Sequence, residues 1–233
     1  MLNARSAGGQ RTGRLELPWA TITLSLLCVL LRLVYQWLNP LQRRMMLETL
    51  GASPRELANV LDTGQWLSWA GMAPVSSLFL HASWLHLLGN LVYLWVFGWA
   101  VERRLGPWLL ALVFIAGGVL AQLVLAVQLP MLQLPVIGAS GAVSAVVGAY
   151  LGMFPTRQIG LYLPLGLMVE FVRVPALLVI GSWFALQLVY AAPGPITGVT
   201  AWWTHLAGFT LGLMFALLTR ATGAIRPASN GAD

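Results

Sequence analysis

The sequence predicts an all-α fold, a polytopic membrane protein with six membrane-crossing helices. Three observations predict it. Of 233 residues, 58% are hydrophobic and 9% charged, with a mean hydropathy of +0.79, whereas soluble domains carry about 25% charge. The apolar residues fall into six runs of membrane-crossing scale. All thirteen basic residues are arginine, and nearly all lie between the runs. That scatter excludes a nucleic-acid footprint despite a net charge of +6.

The runs cover about 18–38, 84–101, 107–128, 138–154, 174–192 and 201–219. Residues 1–17 read as a cytoplasmic leader bearing Arg5, Arg11 and Arg14. The first run is too long for a secretory signal and no small-residue cleavage site follows it, so it reads as a retained helix. Residues 39–83 form a long outer loop with its own structure. Within it, Ser53-Pro54-Arg55-Glu56 reads as a capping box with proline at the first helical position. Trp66 and Trp69 suit an interfacial position. One membrane domain, 18–219, is expected. Residues 220–233 form a cytoplasmic tail, disordered from Ala228. Cys28 is the only cysteine, which leaves no internal disulfide and no thiol metal site.

Arginine placement sets orientation. With the N-terminus inside, Arg5, Arg11, Arg14, Arg103, Arg104, Arg157, Arg173, Arg220 and Arg226 fall inside. Arg32, Arg43, Arg44 and Arg55 fall outside, nine against four. The positive-inside rule puts both termini in the cytoplasm.

Spans two, four and six then run in the same direction. Ser140 to Phe154 and His205 to Thr219 are each fifteen residues, roughly 22 Å of helix. His86 to Glu102 is seventeen, roughly 25 Å. Against a hydrocarbon core of about 30 Å, Ser140, His205 and His86 share one depth, several ångströms below the outer surface. Asn90 lies one turn deeper than His86 on the same face. All three histidines, His81 included, fall at or near this level. No Asp or Glu lies inside any span by these boundaries. Polar residues at this depth are functional candidates.

The stretch Gly138-Ala-Ser-Gly141 opens span four inside the membrane. The free N–H groups of its first turn can hold a developing negative oxygen, and Gly138 and Gly141 permit close approach to Ser140. Small residues Ser140, Ser144 and Gly148 stripe span four; Gly208 and Gly212 stripe span six. If the stripes meet, His205 is brought against Ser140. An imidazole can take a serine proton, and with no acid in the spans a dyad is expected rather than a triad.

Each piece alone has an ordinary explanation. Small residues in membrane helices mostly serve packing, a lone histidine is often a hydrogen-bonded structural group, and Asn90 can bridge helices. His81 and His86, five apart, do not share a helical face, which argues against a zinc site. One serine, one histidine and a His/Asn pair at one depth on three helices carry more weight together.

Over about residues 60–219 the sequence resembles the rhomboid intramembrane serine proteases. The resemblance rests on "HASWLHLLGN", "VERRLG", "GASGAVSAVVG", "FPTRQIGLYLPLG" and "HLAGFTLG". It implies a six-helix core with Ser140 as nucleophile and His205 as general base. His86, Asn90 and the Ser140 backbone N–H would form the oxyanion hole, and His81 would support the loop. Trp183 and Phe184 resemble bulky residues of a lateral gate on span five. Two positions depart from the family pattern. Met72 and Ala73 stand where many members have Trp-Arg, and Ser144 stands where many have an aromatic ring stacking on the base.

The expected function is an intramembrane serine endopeptidase without metal or cofactor. Its partners are membrane-spanning protein substrates and the lipid bilayer, with no nucleic acid, and its site is a bacterial inner membrane. The rivals are an inactive rhomboid-like client-binding protein, weighed against by intact Ser140 and His205, and a transporter, weighed against by missing intramembrane acids and inverted repeats.

Overall fold

A computed structural model describes residues 17–165, 168–191 and 196–222. Most of the expected leader and tail, including the disorder expected from Ala228, lies outside the described residues. Six apolar helices occupy the six apolar runs: α1 (Trp19–Trp37), α5 (Trp84–Leu105), α6 (Pro107–Gln128), α7 (Ser140–Met153), α8 (Ala176–Ala191) and α9 (Ile196–Ala221). Among the described residues α1, α5, α6 and the Trp202–Ala221 part of α9 are long and apolar enough to cross a membrane; α7 and the apolar part of α8 are shorter.

The short helix α7 is the centre of the bundle. Ten of its first eleven residues after Ser140 are buried without a break, from Gly141 to Tyr150. Lipid would accept an apolar face, so this burial reflects the small residues of α7, which let other helices close over it. Its small residues set how near those helices come. A Cβ on Gly148 would strike the Phe209 carbonyl; one on Gly208 would strike the Gly141 carbonyl, and one on Gly212 the Ala145 carbonyl. The two small-residue stripes therefore meet, and α7 and α9 touch backbone to backbone. On the opposite side Gly117 and Gly118 of α6 face Ala145 and Ala142. At the far end Arg220 Nη1 donates to the Gly152 carbonyl at 2.7 Å, satisfying an orphan acceptor in the last turn of α7.

The 39–83 segment carries three helices, α2 (Pro40–Leu50), α3 (Pro54–Thr63) and α4 (Trp69–Ser76), and a 3₁₀ turn at Ser77–Phe79. The expected capping box at Ser53 is half formed. The Ser53 hydroxyl accepts from Glu56 N–H at 3.5 Å and Pro54 opens the helix. The reciprocal box belongs to α2, where Gln42 N–H donates to Asn39 Oδ1 (2.9 Å) and Asn39 N–H to Gln42 Oε1 (3.0 Å). Trp66 and Trp69 are both exposed.

Two features correct the sequence reading. Helix α5 runs to Leu105, through a π turn at Leu94–Gly98, so Glu102 lies inside the second span. It is buried and accepts from Ala20 N–H (2.8 Å), Thr21 N–H (2.9 Å) and Thr21 Oγ1 (2.7 Å). A carboxylate on the orphan donors of the first turn of α1 is favourably placed, which is how an acid is tolerated there. Between α7 and α8 the chain forms an antiparallel hairpin, β1 (Gln158–Leu165) with β2 (Met168–Pro175), in register from Gln158↔Pro175 to Leu165↔Met168. The fold is helical with this one hairpin among the described residues.

Candidate active site

The connection from α6 to α7 is tied down before it delivers Ser140. Ala52 and Val136 exchange backbone bonds at 3.1 and 2.9 Å, and Arg55 N–H donates to the Leu132 carbonyl at 3.0 Å. Gly138 N–H donates to the Ser77 carbonyl at 2.9 Å, and Ser77 Oγ accepts from the buried Gln122 amide at 2.7 Å. Gly138 then takes φ +114°, a region open to glycine, and a Cβ there would lie 2.5 Å from the His86 ring. Two separate demands thus fall on this glycine. The chain enters α7 at Ser140 with no side-chain cap on the new helix among the described residues, so no capping side chain competes for its first N–H groups.

A cavity of about 190 Å³ opens at this helix start. It is lined by Leu85, His86, Gly89, Asn90 and Tyr93 of α5, Ser140 and Val143 of α7, Trp183 of α8 and His205 of α9. Four residues singled out in the sequence, Ser140, His205, His86 and Asn90, therefore face one space. Gly141 and Gly208 lie at the α7–α9 crossing just beneath it, and Gly212 one turn further along. His205 is buried, and both of its ring nitrogens lack a hydrogen-bond partner among the described residues. Ser140 and His205 are thus neighbours of the cavity but are not hydrogen-bonded to each other. Such bonds are often long before substrate binds.

His81 stands behind this wall. Its Nδ1 lies 3.3 Å from the Phe79 carbonyl and its Nε2 2.9 Å from Asn90 Nδ2. Burial, and then the neighbouring His86, push the His81 imidazole down to about 4, so it is neutral at pH 7. The carbonyl can only accept, which places the proton on Nδ1 and makes Nε2 the acceptor of one Asn90 N–H. The Ala139 N–H points at the same nitrogen from 3.5 Å. His81 thereby links the loop, Asn90 and the entry to α7. The His81 and His86 rings also meet edge-on at 5.1 Å, although they share no helical face, because His81 precedes the helix.

Sequence reasoning missed Tyr93, the Asn90–His81 bond and the contact of Trp183 with His205, whose rings lie 5.3 Å apart. The sequence marks which residues share a depth, but not which rings and amides meet there. Of the positions that depart from the family pattern, Ser144 is fully buried and donates to the Ser140 carbonyl at 2.7 Å. Met72 is exposed and Ala73 buried. Other residues make an arginine–tryptophan contact, with the Arg32 guanidinium 4.9 Å from the Trp84 ring, joining α1 to α5.

Fold and site together define a helical integral membrane protein with a serine, two histidines and an asparagine around one cavity. The family model for the Rhomboid domain matches residues 68–222. Rhomboid protease GlpG of Salmonella paratyphi A (strain ATCC 9150 / SARB42) and that of Salmonella choleraesuis (strain SC-B67) are each 30% identical over 164 residues, covering 66% of this chain. The match spans about half of those relatives, 53% of their length. The chain belongs to the rhomboid family.

Proposed function

We propose that the chain is an intramembrane serine endopeptidase that cleaves membrane-spanning proteins with a Ser140–His205 dyad. The observation that carries this reading is the convergence of Ser140, His205, His86 and Asn90 on one cavity at the uncapped start of α7. Ser140 Oγ attacks the scissile carbonyl while His205 takes its proton. The oxyanion that forms is met by the Ser140 backbone N–H, the Asn90 amide and the His86 ring. His205 then returns the proton to the leaving amine, and water hydrolyses the acyl-enzyme by the same base. The asparagine contribution fits its bonding, since His81 takes one Asn90 N–H and leaves the other for the cavity.

The arginine distribution supports cytoplasmic termini and an active site near the outer face of a bacterial inner membrane. The test is labelling of the purified protein with a fluorophosphonate probe. Wild type should label at Ser140, and Ser140→Ala should stay folded and unlabelled, whereas Ser144→Ala should keep most of the label. Equal labelling of Ser140→Ala sinks the assignment. A folded wild type that never labels favours a client-binding protein without catalysis.

A further inference from the structure

Among the described residues no hydrogen bond holds the His205 ring. Both nitrogens are buried and without a partner among the described residues, and the residue is only 5% exposed. A general base must present one nitrogen to the serine at a defined distance and angle. Something other than a hydrogen bond has to fix the imidazole plane.

Helix α7 does not supply it. One turn from Ser140 stands Ser144, fully buried, with its Cβ 3.3 Å from where a Cβ on Gly208 would lie. Its hydroxyl donates to the Ser140 carbonyl at 2.7 Å, so this position carries no ring that could lie on the base. The ring comes from α8 instead. Trp183 lies 5.3 Å from His205 between centroids, with the planes tilted by 37°, inside the range in which aromatic pairs attract. Trp183 is itself braced by Tyr93 of α5 at 5.3 Å and by Phe184 at 5.0 Å.

We propose that Trp183 is a positioning residue for His205, orienting the base from α8. This rests on the reading of Ser140 and His205 as nucleophile and base. The consequence is a coupling between the wall of the cavity and the chemistry. Helix α8 packs on α7, α9 and β2, and the Tyr93–Trp183 ring pair joins it to α5. Among its described side chains only Ala176 and Ile180 are buried apolar residues. Displacing α8 would therefore move the indole that orients the base. His205 is fully aligned only when α8 is seated.

The experiment is saturation kinetics of fluorophosphonate labelling on the full chain, comparing wild type with Trp183→Leu, Trp183→Phe and Tyr93→Leu. Trp183→Leu should lower the maximal labelling rate by about 10- to 100-fold with the half-saturating concentration nearly unchanged, the signature of a misplaced group rather than lost binding. Trp183→Phe should restore most of the rate. Tyr93→Leu opens the same wall from the other side and leaves the His205 contact, so its loss should be several-fold smaller. Three results overturn the inference while leaving the dyad intact: Trp183→Leu labelling at or above the wild-type rate, a change in half-saturation alone, or equal losses in Trp183→Phe or Tyr93→Leu. A wild type that does not label overturns the dyad as well.

Discussion

At the residue scale, the bond between His81 and Asn90 carries two predictions. The first concerns acidity. His81 is neutral when folded, with its imidazole pushed from the usual 6.5 down to about 4. Above pH 6.5 it binds no proton in either state and contributes no pH dependence. Below that, the unfolded chain binds a proton that the folded one refuses, so stability falls as pH drops from 6.5 to about 4. The loss from this one group approaches about 3 kcal/mol at the bottom of the window. Thermal melting in detergent should show that slope in wild type, and His81→Gln should flatten it by that amount. An unchanged slope in His81→Gln shows that His81 is not the group refusing the proton. The second concerns Asn90. Removing one oxyanion donor costs about 10²–10³ in kcat, so Asn90→Ala should lose turnover on this scale while remaining folded. A variant that only melts earlier makes Asn90 a bridge to His81 and nothing more.

At the element scale, the glycines divide into those that hold helices together and those that do not. A Cβ on Gly212 would run into the Ala145 carbonyl, which is backbone and cannot swing away. Gly212→Ala therefore forces α7 and α9 apart and should cost about 1–3 kcal/mol, the usual range for overpacking. Gly181 of α8 has nothing within 4 Å of its Cβ position. Gly181→Ala should be neutral or stabilise by up to about 1 kcal/mol through helix propensity. Melting curves of the two variants test the pair, and equal effects would mean that the seam is not the tight contact. This seam was legible in the sequence because small residues four apart mark one helical face. The β1–β2 hairpin was not. The first strand is a short, mostly apolar run, and such runs cannot be told from helix by periodicity; Glu170 and Arg173 interrupt the second, and Pro164 further weakens a strand reading. Glu102 was hidden for a different reason. It follows an apolar run and looks like its boundary, and only the first turn of α1 folded against it makes a buried carboxylate tolerable.

At the scale of the whole molecule, the proposed protease activity makes the depth of the cavity decide what would be cut. Four cavity-lining residues were legible as a set because the sequence reading puts them at one level on helices of the same direction. Their contacts with Trp183 and His81 were not, since those depend on how helices turn about their own axes. Helix α7 spans fourteen residues from Ser140 to Met153, roughly 21 Å at about 1.5 Å each. That is short of a hydrocarbon core of about 30 Å, so its Ser140 end starts below one surface. On the orientation proposed from the arginine distribution, with both termini cytoplasmic, that surface is the outer one. A substrate helix reaching this level keeps its carbonyls in its own hydrogen bonds, and exposing them in lipid is expensive. Helix breakers lower that cost, glycine by roughly 1 and proline by roughly 3 kcal/mol relative to alanine. Single-span substrates should therefore be cut near the outer end of their helix, at a small residue, with Gly or Pro one or two turns deeper. Replacing those breakers with leucine should slow cleavage about 5-fold or more per breaker, since each 1.36 kcal/mol is tenfold in rate. Product masses should place the cut in the outer third of the span. Unchanged rates with leucine, or cuts near the cytoplasmic end, would refute both the depth of Ser140 and the orientation on which it rests.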